Sequence, residues 1–252
     1  MSEFIYKAPE NKNDKKFYTI CIDNFFNNPD KIRNWALSLP MTASENGDWP
    51  GVRTKPLHEI NKDFLNIFLL KVFSAYFDLS TQSIKWEYSD VVFQKIKKFS
   101  KNKNDKKNIG WIHQDNNNDF AGLVYLTPEI NLNSGTSLYN LKKNADLLSA
   151  NMQNLKESLF KNKKVSKKTY DKLILNNVNN FYEKINFSNI YNRLIAYDTQ
   201  EYHRANNYFS STEDRLTLVF FVKNITVDSY PYDRVKNNNA FDNFLEETIT
   251  HK

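Results

Sequence analysis

The sequence predicts an α+β fold, with helices in its first third and short strands through most of the rest. Three observations lead to this expectation. Two amphipathic segments with asparagine caps precede residue 77, a pattern typical of helices. From residue 85 onward, runs rich in β-branched and aromatic residues predict strands. Two further apolar stripes at helical spacing interrupt those strands between about residues 145 and 182.

The first third of the chain is expected to supply one strand and two supporting helices. Residues 17–22 have the composition of a strand. Residues 28–30 predict a helix start, because asparagine caps a first turn, proline suits the first helical position and an acid favours the N-terminus. This helix should run to about residue 39. A second helix, capped by Asn61, should present an apolar face over residues 64–76.

Five strands are predicted in the remainder, and the last of them is apolar almost throughout and therefore expected to be central. They cover residues 85–98, 120–126, 134–139, 193–197 and 215–222. A helical hairpin, formed by residues 145–161 and by a helix capped at Ser166 that carries Phe181 and Tyr182, is predicted as an insertion at about 141–187. A short helix is expected at 241–247.

The domain prediction is a single domain over residues 1–252. It comprises the strand and helices of 17–84, a core of 85–222 with its insertion, and a C-terminal extension of 223–252. The length suffices for one substantial hydrophobic core, and 40% hydrophobic with 15% aromatic residues is typical of a globular protein.

Composition also restricts the class of protein. No stretch approaches the roughly 20 apolar residues that span a bilayer, and the first residues lack a secretory pattern. We therefore expect a soluble, cytoplasmic protein with no membrane partner. Cys21 is the only cysteine, which excludes an internal disulfide and a thiolate cluster and favours a metal site built from imidazole and oxygen.

The net charge of +6 comes largely from loops rich in lysine and asparagine, such as residues 101–107 and 161–164. These loops are interpreted first as solvated surface and second as nucleic-acid contacts. Because aromatic residues are sparse in them, a nucleic-acid partner is not expected.

The motif His-Gln-Asp at residues 113–115 is the strongest functional signal. Side chains two positions apart on a strand point the same way, so His113 and Asp115 supply two ligands of a 2-His-1-carboxylate iron site. His203, which follows another apolar segment, is the candidate third ligand. The alternative is that these are ordinary histidines near a surface. His58 and His251 lack such a context and are expected to be structural or exposed.

Arg215 begins the last predicted strand, and Thr217 follows it on the same face. A buried guanidinium requires an anion, and a planar carboxylate fits it bidentately, with the Thr217 hydroxyl adding a hydrogen bond. The alternative is an ion pair between Arg215 and Asp214 or Asp198.

Taken together, these residues resemble the Fe(II)/2-oxoglutarate-dependent dioxygenases, on the branch similar to prolyl 4-hydroxylases. The resemblance covers about residues 86–222, with 17–77 resembling the supporting elements of such enzymes. It departs from the family in the long interval between Asp115 and His203 and in Ser134, where the family's Gly-Gly-Thr turn commonly begins with glycine. The matching segments are 111–115, 124–127, 134–136, 202–204 and 215–217.

The resemblance implies a double-stranded β-helix, a jelly-roll or cupin-like core. It implies iron held by His113, Asp115 and His203, and 2-oxoglutarate held by Arg215, with Thr217 and Tyr125 as further cosubstrate contacts. Tyr125 is as readily a core residue, and Gln94 is a weaker candidate for the same role. Fe(II), 2-oxoglutarate and O2, with ascorbate as a reductant, would then hydroxylate a substrate and release succinate and CO2. A carboxylate at Asp115 argues against a halogenase.

The substrate is expected to be a small molecule or a peptide or protein, with a prolyl side chain suggested by the resemblance alone. The insertion is interpreted either as a lid that selects the substrate or as a structural cover of the core. The competing hypothesis is a binding module that keeps the metal and binds an anionic partner without turnover. The sequence predicts no oligomeric state.

Overall fold

The computed structural model describes residues 15–115, 117–129, 131–142, 150–161 and 163–236. Six helices occur in these residues: α1 Pro29–Ser38, α2 Leu57–Ile60, α3 Lys62–Phe73, α4 Ala150–Phe160, α5 Lys167–Asn179 and α6 Pro231–Lys236. The strands are β1 Ile20–Ile22, β2 Thr42–Ala43, β3 Val52–Arg53, β4 Ile84–Lys85, β5 Tyr88–Ile96, β6 Phe120–Tyr125, β7 Thr136–Leu141, β8 Phe181–Phe187, β9 Leu194–Asp198, β10 Tyr202–Ala205, β11 Arg215–Lys223 and β12 Thr226–Val227.

The strands form three antiparallel sheets. The large sheet has seven strands in the order β1-β9-β6-β11-β5-β3-β2, the small sheet has the order β10-β7-β8, and β12 pairs with β4. The almost wholly apolar β11 lies in the middle of the large sheet, since a strand buried on both faces needs no polar alternation. Across the described residues these sheets do not close into a barrel.

Alternation along the central strands gives the large sheet two different faces. Phe120 and Val124 of β6 point to one face, with Leu218 and Phe220 of β11, and pack against α1–α3. The intervening residues point to the other face, where the small sheet covers them. We call this second surface the inner face. Successive side chains along a strand point to opposite faces of the sheet. Arg215 and Thr217 of β11 therefore lie on the inner face, opposite to the face on which Leu218 lies.

The helix starts predicted from asparagine and serine are confirmed. The side chains of Asn28, Asn61 and Ser166 accept hydrogen bonds from the backbone N–H groups three residues on, as N-caps do. Helices α4 and α5 lie between β7 and β8, where a hairpin was predicted. That they are an insertion stays a prediction, and residues 143–149 and 241–247 lie outside the described residues.

One element prediction is wrong. Phe181 and Tyr182 were assigned to the second helix of the hairpin, yet they begin β8, which pairs with β7 from Leu141 backward. Aromatic residues satisfy a helical stripe and a strand equally well, so their pairing partner decides. As for membrane insertion, no helix in the described part of the chain has both the length and the apolar character to span a bilayer.

Candidate metal centre

Two distant segments meet through a single antiparallel bridge at the edge of the small sheet. The His113 N–H donates to the His203 carbonyl at 3.1 Å, and the His203 N–H donates to the His113 carbonyl at 2.9 Å. His203 is part of β10, whereas His113 belongs to no strand and pairs with β10 through this one bridge. The strand context expected for His113 is therefore reduced to one pair of residues.

This bridge brings His113, Asp115 and His203 together. One potential ligand atom from each lies within 4.8 Å of the others. His203 Nε2 is 3.2 Å from Asp115 Oδ2, and His113 Nε2 is 3.7 Å from Asp115 Oδ1. His58 lies elsewhere, half-exposed beside Glu59.

Backbone carbonyls set the tautomers of both histidines. His113 Nδ1 is 2.8 Å from the Trp111 carbonyl, and His203 Nδ1 is 3.0 Å from the Glu201 carbonyl. A carbonyl only accepts, so each Nδ1 carries a proton and each Nε2 faces Asp115, where it is available as a ligand atom once the ring is neutral. The cluster thus presents three acceptors to one point, the arrangement that a divalent cation or an additional proton stabilises.

The electrostatics are consistent with this geometry. Burial lowers the pKa of His113 to about 4, and the nearby His203 acts in the same direction. Burial also disfavours a charge on His203, but the Asp115 carboxylate outweighs it and raises the pKa of His203. Burial alone would raise the pKa of Asp115, yet the charge and hydrogen bond of His203 hold it well below its usual range. A charged carboxylate and a neutral His113 imidazole are the protonation states that metal ligation requires.

Helix α5 positions the segment that carries His113. The Asn177 side chain accepts from the Ile112 N–H at 2.8 Å and donates to the Ile112 carbonyl at 3.1 Å, as a neighbouring strand would. About two turns earlier in α5, the Tyr170 hydroxyl accepts from Trp111 Nε1 at 3.1 Å. Both α5 side chains are fully buried, so the metal segment is fixed by hydrogen bonds from a helix rather than by a β ladder.

The three residues line a cavity of about 620 Å³ that also contains Arg215. Arg215 is 3% exposed, its Nε donates to the Ser134 carbonyl at 3.3 Å, and its Nη2 has no partner. Within the described part of the chain no carboxylate pairs with it. Asp198 instead accepts from the backbone of Lys16. A buried guanidinium nitrogen without a partner is costly, so this cavity is suited to an anion.

Thr217 and Tyr125 lie beside Arg215 on the inner face, facing each other across β11 and β6. The buried Thr217 hydroxyl has no hydrogen-bond partner. The Tyr125 hydroxyl donates to Thr136 Oγ1 at 2.9 Å, and its ring lies 5.4 Å from the Arg215 guanidinium carbon. In this arrangement Tyr125 supports the arginine from one side and has no proton left to donate to a ligand. Gln94, the weaker candidate, is opposite Thr217 on β5 and donates to the Pro50 carbonyl at 2.8 Å.

The turn before β7 requires its glycine. A Cβ at Gly135 would collide with the Phe187 carbonyl of β8. The close approach seats Ser134, whose carbonyl holds Arg215. Ser134 stands where the Gly-Gly-Thr turn of the similar enzymes commonly has its first glycine. Its hydroxyl donates a hydrogen bond to the nearby Asn131 carbonyl at 2.6 Å, so the side chain has a partner within the turn.

The donor set fits the implied groups. Two imidazole Nε2 atoms and one carboxylate suit iron or a similar divalent metal, and the unpartnered Arg215 and Thr217 atoms suit a carboxylate. Sequence reasoning missed Asn177 and a second group of residues that line the cavity. That group contains Trp49, Arg53 and Lys156. Trp49 and Arg53 lie around a turn, and Lys156 lies on helix α4. No sequence pattern near these residues indicates that they line the same cavity.

Several solved structures are similar to this chain at low sequence identity. HygX from Streptomyces hygroscopicus, crystallised with nickel, 2-oxoglutarate and hygromycin B, is similar with a TM-score of 0.50 and 12% identity, over 82% of this chain and 84% of that one. A prolyl hydroxylase from Trichoplax adhaerens, in complex with a hypoxia-inducible factor peptide, gives 0.47 and 12% over 84% of each chain. An oxidoreductase of the 2OG-Fe(II) oxygenase family from Burkholderia pseudomallei gives 0.42 and 10% over 81% and 84%.

The likeness to HygX bears on the fold alone, and the mixed helical and antiparallel architecture of this chain is consistent with a jelly-roll core. No curated protein matches the chain in sequence. The model of DUF6445, described as a family of unknown function, matches residues 10–221. Since this match covers most of the chain, the protein belongs to the DUF6445 family.

Proposed function

We propose that this protein is an Fe(II)- and 2-oxoglutarate-dependent oxygenase that hydroxylates a small molecule or a peptide. His113, Asp115 and His203 are the proposed metal ligands, and Arg215 with Thr217 the proposed site for the distal carboxylate of 2-oxoglutarate. A prolyl 4-hydroxylase-like branch is the finer proposal. This finer assignment is supported by the resemblance of the sequence motifs alone. The solved structures do not add to it, because identities of 8–12% bear only on the fold.

The observation that carries the proposal is the buried, unpartnered Nη2 of Arg215 in the cavity of the triad. A metal site alone would be compatible with many functions. An unpaired guanidinium on the same cavity wall, with an unpartnered hydroxyl two residues along the strand, adds a receptor for a carboxylate. Metal ligands and carboxylate receptor together match a cosubstrate that chelates a metal at one end and has a free carboxylate at the other.

The chain's own residues would divide the work as follows. His113, Asp115 and His203 would hold the metal. Arg215 fixes the cosubstrate's orientation, and Tyr125 with Ser134 keeps the guanidinium in place. Once loaded, such a site couples decarboxylation of 2-oxoglutarate to succinate and CO2 with the use of O2 to oxidise substrate.

The test is release of succinate from 2-oxoglutarate by the purified protein with Fe(II), O2 and ascorbate. We expect turnover in the wild type, loss of metal binding and turnover in His113→Ala, and retained metal binding with weakened 2-oxoglutarate binding in Arg215→Ala. The matched control is His58→Ala, a histidine outside the site. Intact iron binding without succinate formation, across a set of substrates, would favour the competing metal-retaining binding module.

A further inference from the structure

The cavity contains a second cationic group that neither the metal nor the cosubstrate requires. Arg53 of β3 and Lys156 of α4 both line it. Neither side chain forms an ion pair with a carboxylate among the described residues, where the salt bridges involve other groups. Asp48 and Asp115 of the same cavity act electrostatically on both cations, but neither carboxylate forms a salt bridge with them, so a bound anion would still stabilise both.

The Arg53 guanidinium lies near two aromatic rings, but not all of its N–H groups have hydrogen-bond partners. Its guanidinium lies 4.7 Å from the Trp49 ring and 6.0 Å from the Phe221 ring, and its Nη2 only reaches Gln94 Oε1 at 3.5 Å. The buried Nε of Arg53 and the buried Nε1 of Trp49 have no partners. The two rings thus contact the guanidinium while its Nε remains available as a donor, as in sites that recognise a planar or tetrahedral anion.

The register of the large sheet places this group at a defined distance from the proposed cosubstrate site. Arg53 is opposite Gln94, and Gln94 is opposite Thr217. Two strand spacings therefore separate Arg53 from Thr217, which is roughly 10 Å between Cα atoms. Arg53 and Arg215 accordingly occupy separate positions on the inner face, and one small dianion would not need both.

The cavity has two cationic side chains beyond those that the metal and the cosubstrate would use. A divalent metal with Asp115, and dianionic 2-oxoglutarate with Arg215, would together be neutral. Arg53 and Lys156 remain, opposed on the cavity wall by Asp48 alone. Asp90 is another nearby acid. Burial raises the pKa of Asp90, whereas the charge of Arg53 acts to lower it, and no salt bridge joins the two side chains. Glu157, next to Lys156 in α4, also acts electrostatically on that lysine.

We propose that Arg53, Trp49 and Lys156 form a substrate subsite that recognises a carboxylate or phosphate group on the molecule to be oxidised. This rests on the proposed oxygenase function and narrows its substrate class to anionic compounds. Arg53 would pair with the anionic group, Trp49 would add its N–H and an aromatic surface, and Lys156 would approach from the helix side.

The probes are benzoate, phenyl phosphate and neutral benzamide, titrated into nickel- and 2-oxoglutarate-loaded protein by calorimetry. One charge-assisted hydrogen-bonded pair is worth about tenfold in affinity. We therefore expect at least one of the two anions to bind roughly tenfold more tightly than benzamide, and the stronger of the two separates carboxylate from phosphate recognition. Arg53→Gln should abolish this preference, and Lys156→Gln should reduce it.

Lys161→Gln, an exposed lysine just after α4, is the matched control and should leave the preference unchanged. Thermal denaturation establishes that each variant is folded, and Lys156→Gln tests the subsite even where Arg53→Gln does not fold. Equal affinity for benzoate, phenyl phosphate and benzamide, or a preference that survives in both variants, would overturn the proposal.

Failure of the parent proposal is recognised separately. Protein that does not bind nickel and 2-oxoglutarate contradicts the oxygenase function. In that case the same titration in metal-free Arg215→Gln, which lacks the other buried guanidinium, still measures whether Arg53 prefers anions.

Discussion

At the scale of single residues, unpartnered polar atoms carry the most information about ligands. Thr217 Oγ1 and Arg215 Nη2 are buried side by side on β11, and both lack hydrogen-bond partners. A buried donor without a partner lowers stability unless a ligand satisfies it. The two atoms therefore define a site with one charged and one neutral donor.

The two donors should contribute unequally. Thr217→Val removes a neutral hydrogen bond, worth about 0.5–1.5 kcal/mol, and should weaken 2-oxoglutarate binding about threefold to tenfold. Arg215→Gln removes a charged one and should weaken it by more. The measurement is calorimetric titration of 2-oxoglutarate into nickel-loaded protein. Arg193→Gln, which disrupts a surface pair with Asp23, is the control. Equal losses in Thr217→Val and Arg193→Gln would argue against a ligand contact at Thr217.

At the scale of elements, α5 takes the place of a strand beside the metal segment. Asn177 satisfies both backbone groups of Ile112, the residue before His113. Asn177→Leu should lower the free energy of unfolding by about 1–3 kcal/mol, because the buried Ile112 N–H and carbonyl lose their partners. It should also weaken nickel binding, since the orientation of His113 depends on this anchor.

The comparison that isolates this effect is Asn179→Leu, near the end of the same helix and outside the anchor. Unfolding by denaturant gives the stability, and calorimetry gives the metal affinity. Should Asn177→Leu lose stability yet bind nickel as the wild type does, the anchor is structural only.

The same elements show what sequence could predict. The helix caps at Asn28, Asn61 and Ser166 could be predicted because each depends on a hydrogen bond from a side chain to a backbone group three residues away. Strand β11 could be predicted because its apolar composition reflects burial on both faces. The start of β8 at Phe181 could not be predicted in this way, because these residues form a strand only through pairing with β7.

The residues of the candidate site also fall into those that the sequence could predict and those that it could not. His113, Asp115 and His203 were recognisable by residue type and order, and the structure brings them within ligand distance of one another. Asn177 and Arg53 act through neighbours 65 and 41 positions away, so only the folded chain reveals them.

At the scale of the whole molecule, stability and function lie on opposite faces of the large sheet. The main core, with Phe68, Phe73 and Phe120, packs between α1–α3 and the sheet. The inner face instead holds charged and unpartnered groups around the cavity. Substitutions in the main core should therefore change stability with little effect on ligand affinity, while ligands should stabilise the protein through the inner face.

Ligand-dependent stability gives the last prediction. At 100-fold excess over the dissociation constant, a ligand that binds only the folded state adds about 2.7 kcal/mol, and for a chain of this size each kcal/mol raises the Tm by about 2–4 °C. Nickel with 2-oxoglutarate should therefore raise the Tm of the wild type by roughly 5–10 °C. His113→Ala should lose most of this shift, because a two-ligand site binds the metal weakly, whereas His58→Ala should keep it. Since unfolded chains also bind metals through histidine, the comparison between these two variants, which remove one histidine each, carries the inference. An equal shift in both would place the bound metal away from His113.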